Sequence, residues 1–213
     1  MMEMHTPPLQ RVLVAGSAGF IGCNFVRFCP ETRTADDIAV LDALTNAGNL
    51  ATIGALIETG RVHFGHADIQ DSETVRWVMP THDIRAVVDF ATESHADRSI
   101  NDPGAFVETN VNGTLTLLNA CRAAWQNADG WRADVRFHHL STDEVYGSLM
   151  TGDAPFTERS PYAPNSPYAA NKAASDHLVR AWMHTYGLPA TISNCSNNYG
   201  PYHSPRSSFR WSS

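Results

Sequence analysis

The chain contains a single lysine among its 15 basic residues, and that lysine, Lys172, lies four positions after Tyr168 in SPYAANKAASDHLVRAW. Residues i and i+4 share one face of a helix, so a phenol and an ammonium would point into one site. A free phenol titrates at about pH 10, too high for a base at neutral pH. A nearby ammonium and a positively charged hydride acceptor would both favour phenolate and lower that value. Tyr168 could then take a hydroxyl proton while hydride leaves the same carbon. A second cluster, Thr142, Asp143 and Glu144 in LSTDEVYG, follows a predicted strand. Open α/β sheets bind ligands beyond the carboxyl ends of their strands, where these three residues fall. Two adjacent carboxylates in an enclosed cleft can acquire different pKa values and divide the roles of acid and base. The plainer reading is a capping or solvated acidic pair.

A third feature supplies a place for the hydride to go. GSAGFIG, with glycines at 16, 19 and 22, stands between an apolar run and a helical pattern. Gly16 lets the chain turn, Gly19 lets a pyrophosphate approach the backbone, and Gly22 lets the helix pack on the strand. The free N–H groups and the helix dipole then hold the anion, with Phe20 and Ile21 in the first turn. Asp42 ends the second predicted strand, 20 residues after Gly22, where a carboxylate binds both ribose hydroxyls of an adenosine. A 2′-phosphate would be repelled there and residues 43–48 contain no Arg, so NAD is favoured over NADP. Asp68 and Ile69, after the third strand, could frame the adenine or simply cap a helix.

These residues need a scaffold, and the hydrophobic pattern predicts one. Strands are expected at 11–15, 38–42, 61–65, 86–90, 135–140 and 190–194. Helices are expected near 19–29, 50–58, 72–78, 103–125 and 167–186. Asp102 and Ser166 are N-cap types followed by proline, and Gly187 with Pro189 is a stop signal. Such alternation implies an α/β fold, a Rossmann-type doubly wound parallel sheet covered on both faces. One such domain spans 11–203.

Composition narrows the partners. The 213 residues are 43% hydrophobic with a net charge of −7 and no basic cluster, which opposes nucleic acid and anionic membrane. No apolar run approaches the about 18 residues of a membrane span. Cys23, Cys29, Cys121 and Cys195 show no paired spacing, as expected of reduced thiols in a cytoplasmic protein. No metal is expected: the ten histidines are scattered, and the adjacent His138 and His139 would face opposite ways in a strand.

The stretches GSAGFIGCNFVR, LDALTNAGNL, FATESHADRSI, TNVNGTLTLLNACR, LSTDEVYGSL and YGLPATISNCSNNYGPYH, with the Tyr/Lys segment, run almost continuously from residue 11 to 203. Together they resemble the extended short-chain dehydrogenase/reductase family, and within it the branch that dehydrates dTDP-glucose. The TDE triplet is the specific part, because sugar epimerases of the family usually carry Ser-based motifs there. The resemblance implies bound NAD, oxidation at C4 of the sugar, loss of water across C5 and C6, and return of the hydride to C6. It gives Tyr168 the C4 hydroxyl proton, Thr142 the C4 oxygen and Lys172 the nicotinamide ribose. Glu144 takes the C5 proton and Asp143 protonates the departing C6 hydroxyl. Leu44, Thr45, Ala91, Thr109 and Asn198 fall on the cofactor side, Ser94 and Asn197 on the substrate side. The helices at 103–125 and 167–186 could pair across a two-fold axis into a homodimer, as in the family. Ser17, Asn46, Thr92 and Asn171 depart from the usual Gly, Tyr, Ala and Ser. Thr92 would bring a hydroxyl close to the cofactor.

The end of the chain departs from the resemblance. Family members continue with text like FPEKLIPLVI, and deleting one base from a coding sequence for it yields SPRSSFRWS plus a partial Ser codon. Residues 204–213 therefore read as an out-of-frame tail, with the C-terminal substrate domain missing. The expectation is a chain with apolar surface of the sixth strand and neighbouring helices uncovered, low stability, and little dehydratase activity of its own.

Overall fold

The computed structural model describes residues 11–32, 37–45, 47–94 and 102–203. Asn46, the DRSI stretch and the tail 204–213 lie outside the described residues. The strands β1 (Arg11–Ala15), β2 (Asp37–Asp42), β3 (Val62–His66), β4 (Ala86–Asp89), β7 (Arg136–Thr142) and β8 (Ala190–Cys195) form one parallel sheet in the order β3-β2-β1-β4-β7-β8. Two short strands, β5 (Gln126–Asn127) and β6 (Gly130–Trp131), form a separate antiparallel pair. The chain leaves β1 first towards β2 and β3, then crosses back to β4. The crevice of a doubly wound fold opens at that reversal, between β1 and β4.

Both faces of the sheet are covered, which is why its central strands are apolar throughout. Successive residues of a strand point to opposite faces. Val12 and Val14 join Ile38, Val40 and Val88 in one core, closed by Cys23, Val26 and Cys29 of the helix Phe20–Thr32. Leu13 and Ala15 join Leu41, Val87 and Phe137 in the other, with Val75, Leu117, Cys121 and Val179 from three further helices. The exposed side chains of edge strand β8 include Thr191 and Ser193, while Ile192 packs on the core. This corrects the expectation for the sixth strand, whose open face carries polar rather than apolar groups.

The caps lie where residue types put them. Asp71 accepts from Glu73 N and Thr74 N at the head of the helix Ser72–Thr81. Ser166 accepts from Ala169 N, with Pro167 in the first turn of the helix Pro167–Tyr186, and Gly187 closes it at φ 72°. The predicted helix 103–125 is interrupted. After Pro103–Phe106 the chain makes a wide π-type turn, Val107–Gly113, before Thr114–Trp125. The Asn110 carbonyl there accepts two hydroxyls, from Thr114 (2.7 Å) and Ser175 (2.6 Å). Competing side-chain donors of this kind accompany wide turns, which recur at functional sites.

Trp125, wholly buried, fastens this helix to the sheet by donating from Nε1 to the Ile84 carbonyl, 2.8 Å, just before β4. Trp125→Phe keeps a ring but leaves that carbonyl without its donor. It is expected to lower the unfolding free energy by about 1–3 kcal/mol in urea denaturation. A change within about 0.5 kcal/mol, the range of surface substitutions, would contradict the clamp.

Candidate active site

The carboxyl ends of β1, β2, β3 and β4 converge on one cleft, lined among others by Gly16, Gly19, Asp42, Thr45, Asp68, Ile69, Ala91, Thr92 and Thr109. Its floor is set by backbone proximity. Gly16 has φ +73°, and a Cβ there would lie 2.6 Å from Ala91 N; one at Gly22 would lie 2.1 Å from the Gly16 carbonyl oxygen. Asp42 ties this loop to its own turn. One carboxylate oxygen accepts from Ala18 N (2.7 Å) and the other from Leu44 N (2.8 Å). Leu44 itself sits at φ +50°, a strained conformation for a side chain of its size. Thr92 donates to Asn110 Oδ1, 3.0 Å, and the same atom accepts from Glu93 N, 2.9 Å. The hydroxyl that departs from the family is thus held by the π-type turn at the edge of the cleft.

The acidic triplet follows β7 directly. Thr142 is buried, and its hydroxyl oxygen accepts from Glu144 N (3.3 Å) at the head of the short turn Asp143–Tyr146. Burial, and then the charge of Asp143, push the Glu144 carboxyl above the usual glutamate value. Tyr168 and Lys172 occupy the helix Pro167–Tyr186 as predicted, Tyr168 partly exposed and Lys172 buried. Their electrostatics differ from the expectation. Burial, followed by the charge of Glu144, drives the Tyr168 phenol well above its ordinary value rather than below it. The Lys172 ammonium is engaged beneath the site, donating to the Leu140 carbonyl (2.7 Å) with His139 Nε2 at 3.4 Å. Burial lowers its pKa, against the opposing pull of Asp89 and Asp176.

Other predicted residues are less gathered. Ser94, Asn197 and Asn198 are exposed, and Asn198 donates to Cys195 Sγ and the Ser196 carbonyl rather than entering the cleft. The loop after β8 is nevertheless drawn over the glycine turn. Asn24 Nδ2 donates to the Pro201 carbonyl (2.9 Å), and Phe20 meets His203 edge-on at 4.8 Å. Ile21 lies half-buried in the same helical turn as Phe20. Sequence reasoning missed Asp89, His139 and Asp176, all fully buried around Lys172. Asp176 follows Lys172 by four residues, so the spacing rule that links Tyr168 to Lys172 also points to it.

Two other features lie at the opposite end of the sheet. A surface cavity of about 450 Å³ is lined by Arg76, Asp83, Trp125 and Arg132 among others, beside the start of β4. Among the described residues, Asp37, His63 and His82 are grouped closely enough to offer a metal three ligand atoms. Neither adjoins the cleft at the carboxyl ends.

The profile described as GDP-mannose 4,6 dehydratase matches residues 13–210. The chain belongs to this family. It is 50% identical over 204 residues to dTDP-glucose 4,6-dehydratase of Escherichia coli, covering 92% of this chain and 56% of that protein. It is 55% identical over 195 residues to the enzyme of the same name from Xanthomonas campestris pv. campestris (strain B100), covering 91% and 54% respectively. The chain therefore spans a little over half the length of these curated relatives. Among solved structures, DesIV, a dTDP-glucose 4,6-dehydratase from Streptomyces venezuelae with NAD and TYD bound, superposes with a TM-score of 0.84 at 45% identity, over 92% of this chain and 59% of that one. A Thermus thermophilus UDP-glucose 4-epimerase in complex with NAD gives 0.79 at 32% identity, over 92% and 58%. This family member thus has its greater likeness on the dehydratase side.

Glu144 generates a pH prediction. A carboxyl whose pKa is raised on folding binds its proton more tightly in the folded chain than in the unfolded one. Stability therefore falls as pH rises from the ordinary value of 4.5 through the folded value. Glu144→Gln is expected to melt at a higher temperature than the wild type at pH 7 and at the same temperature near pH 4. An equal difference at both pH values would contradict this.

Proposed function

We propose that this chain carries the NAD site and the C4-to-C6 chemistry of a dTDP-glucose 4,6-dehydratase acting in the cytoplasm as a homodimer. The observation that carries the reading is one of place. The glycine turn, Asp42, the Thr142–Asp143–Glu144 triplet and the Tyr168/Lys172 helix all gather at the carboxyl ends of the parallel strands. The 50% identity to relatives named for this reaction supports it.

The residues fit the cofactor. Only glycine can occupy position 16 so close to the β4 loop, while a Cβ at Gly19 would meet nothing nearer than the Gly16 carbonyl oxygen at 3.4 Å, so that backbone is open to a pyrophosphate. Each Asp42 oxygen has a lone pair left after its backbone bond, available to a ribose hydroxyl. Bound NAD would accept hydride from C4, return it to C6, and place a positive ring near the phenol.

The protein's own part is proton management. Tyr168 takes the C4 hydroxyl proton as phenolate; burial and the Glu144 charge oppose that form, and the positive charge of oxidised NAD would favour it. Thr142 donates its hydroxyl to the C4 oxygen. The 4-keto group acidifies the hydrogen at C5, which Glu144 removes; burial holds its carboxyl above the usual value, which strengthens the carboxylate as a base. Asp143 gives a proton to the departing C6 hydroxyl. Ser94 and Asn197 contribute to the sugar subsite.

The test uses the purified chain with NADH and then with NAD and nucleotide hexoses. Saturable NADH binding that weakens at least about tenfold in Asp42→Ala is expected, as for loss of a charged hydrogen-bond acceptor. Product from dTDP-glucose should be the 4-keto-6-deoxy sugar. An epimerised hexose would move the assignment to an epimerase, and absence of NADH binding would overturn it.

A further inference from the structure

Lys172 is held from behind by a buried group of ionisable side chains that the reaction as described does not use. His139, on β7, and Asp89, at the end of β4, are both essentially without solvent exposure, as is Asp176 on the lysine's own helix. His139 Nδ1 lies 2.9 Å from Asp89 Oδ2. On its other side Nε2 lies 3.4 Å from Lys172 Nζ and 3.5 Å from Asp176 Oδ1. Asp89 also accepts from Ala91 N through Oδ1 (3.1 Å), which fixes the carboxylate plane. The other Asp176 oxygen is occupied by Ser141 Oγ (2.8 Å), Tyr162 OH (2.9 Å) and Asn194 Nδ2 (3.3 Å). Asp176 Oδ1 itself has no hydrogen-bond partner among the described residues.

The protonation pattern follows from these contacts. A carboxylate accepts only, so Nδ1 must carry a proton to bond to Asp89. If Nε2 carried one too, the imidazolium would face the Lys172 ammonium at 3.4 Å in a buried site, like charge against like. Burial and Lys172 both favour the neutral ring. Neutral and protonated on Nδ1, His139 presents a lone pair at Nε2 to the lysine. Two of the three ammonium hydrogens are then directed to Nε2 and the Leu140 carbonyl, leaving the third for a ligand.

We propose that Asp89 and His139 are positioning residues for Lys172: Asp89 fixes the histidine tautomer, and the tautomer fixes the ammonium. The unpaired Asp176 Oδ1 makes the arrangement dependent on Asp89. A proton moved to Nε2 would find that oxygen waiting at 3.5 Å, and the ring would turn from acceptor to donor and release the lysine. The consequence for NADH affinity rests on the NAD reading above; the tautomer does not.

Two measurements on the full chain decide it. In histidine-labelled wild-type protein, ¹⁵N NMR should show His139 neutral with its proton on Nδ1 at neutral pH. A ring protonated on Nε2, or on both nitrogens, overturns the proposal whether or not Asp89 can be replaced. Asp89→Asn is the second arm. Its amide oxygen keeps the bond from Ala91 N, so its NH₂ faces Nδ1 and forces the proton to Nε2. The variant should show the reversed tautomer and bind NADH about tenfold more weakly, the effect of one charge-assisted hydrogen bond. A reversed tautomer with unchanged NADH affinity overturns the positioning role. If the wild type does not bind NADH, the NAD reading fails, and the wild-type tautomer still decides for or against the Asp89–His139 device.

Discussion

The candidate site depends on how closely two backbone turns approach each other. The Gly16 turn after β1 lies against the loop after β4 so tightly that a methyl group at position 16 would overlap Ala91 and Phe90 main-chain atoms. That contact sits where the sheet order reverses, and it brings the first helix's N-terminus to the mouth of the crevice. Asp42 then couples the second strand to the same turn through Ala18 N, while the π-type segment holds the β4 loop from the far side through Asn110. Four separated stretches of sequence thus share a few ångströms of backbone. Each is held by groups that must be glycine, carboxylate or amide to do so.

Beneath that surface lies a second constraint of a different kind. Asp89, His139, Lys172 and Asp176 are buried together, where unpaired charge is expensive. Such groups contribute little to net stability compared with a well-packed apolar replacement, so their value lies in what they orient. Here the orientation runs from the sheet to the helix. β4 and β7 supply the carboxylate and the imidazole, and the helix Pro167–Tyr186 supplies the ammonium. Lysine is otherwise absent from the chain. Position 172 has a buried use for an ammonium that an arginine fork would not fit without displacing His139 or the Leu140 contact.

Much of this was legible from residue types. The strands, their parallel alternation, the Asp102 and Ser166 caps and the Gly187 stop follow from local pattern, because each depends on neighbours within a few positions. The gathering of Gly16, Asp42 and Asp68 was legible for a topological reason, since loops at the same end of parallel strands must meet, whereas Thr109 came only with the family resemblance. The π-type turn was not, because its cause is long-range. Ser175, some 65 positions away, donates to the Asn110 carbonyl. The ammonium's part in the expected Tyr168 shift was misread because spacing alone pairs phenol with ammonium. In the folded chain the ammonium points to His139 and Leu140, and the phenol is shifted first by burial and then by the charges of Glu144 and Cys195. The π-type turn and the Tyr168 direction are both set by contacts between elements distant in sequence, which hydrophobic periodicity does not encode.

The most direct test of the account is the structure of this chain crystallised with NAD. The account predicts the pyrophosphate against the 16–22 turn, the adenosine ribose on Asp42, and the nicotinamide end directed towards Lys172 and Tyr168. Nucleotide found instead in the cavity beside Arg76 and Arg132, or seated in the cleft with its ribose away from Asp42, would contradict it.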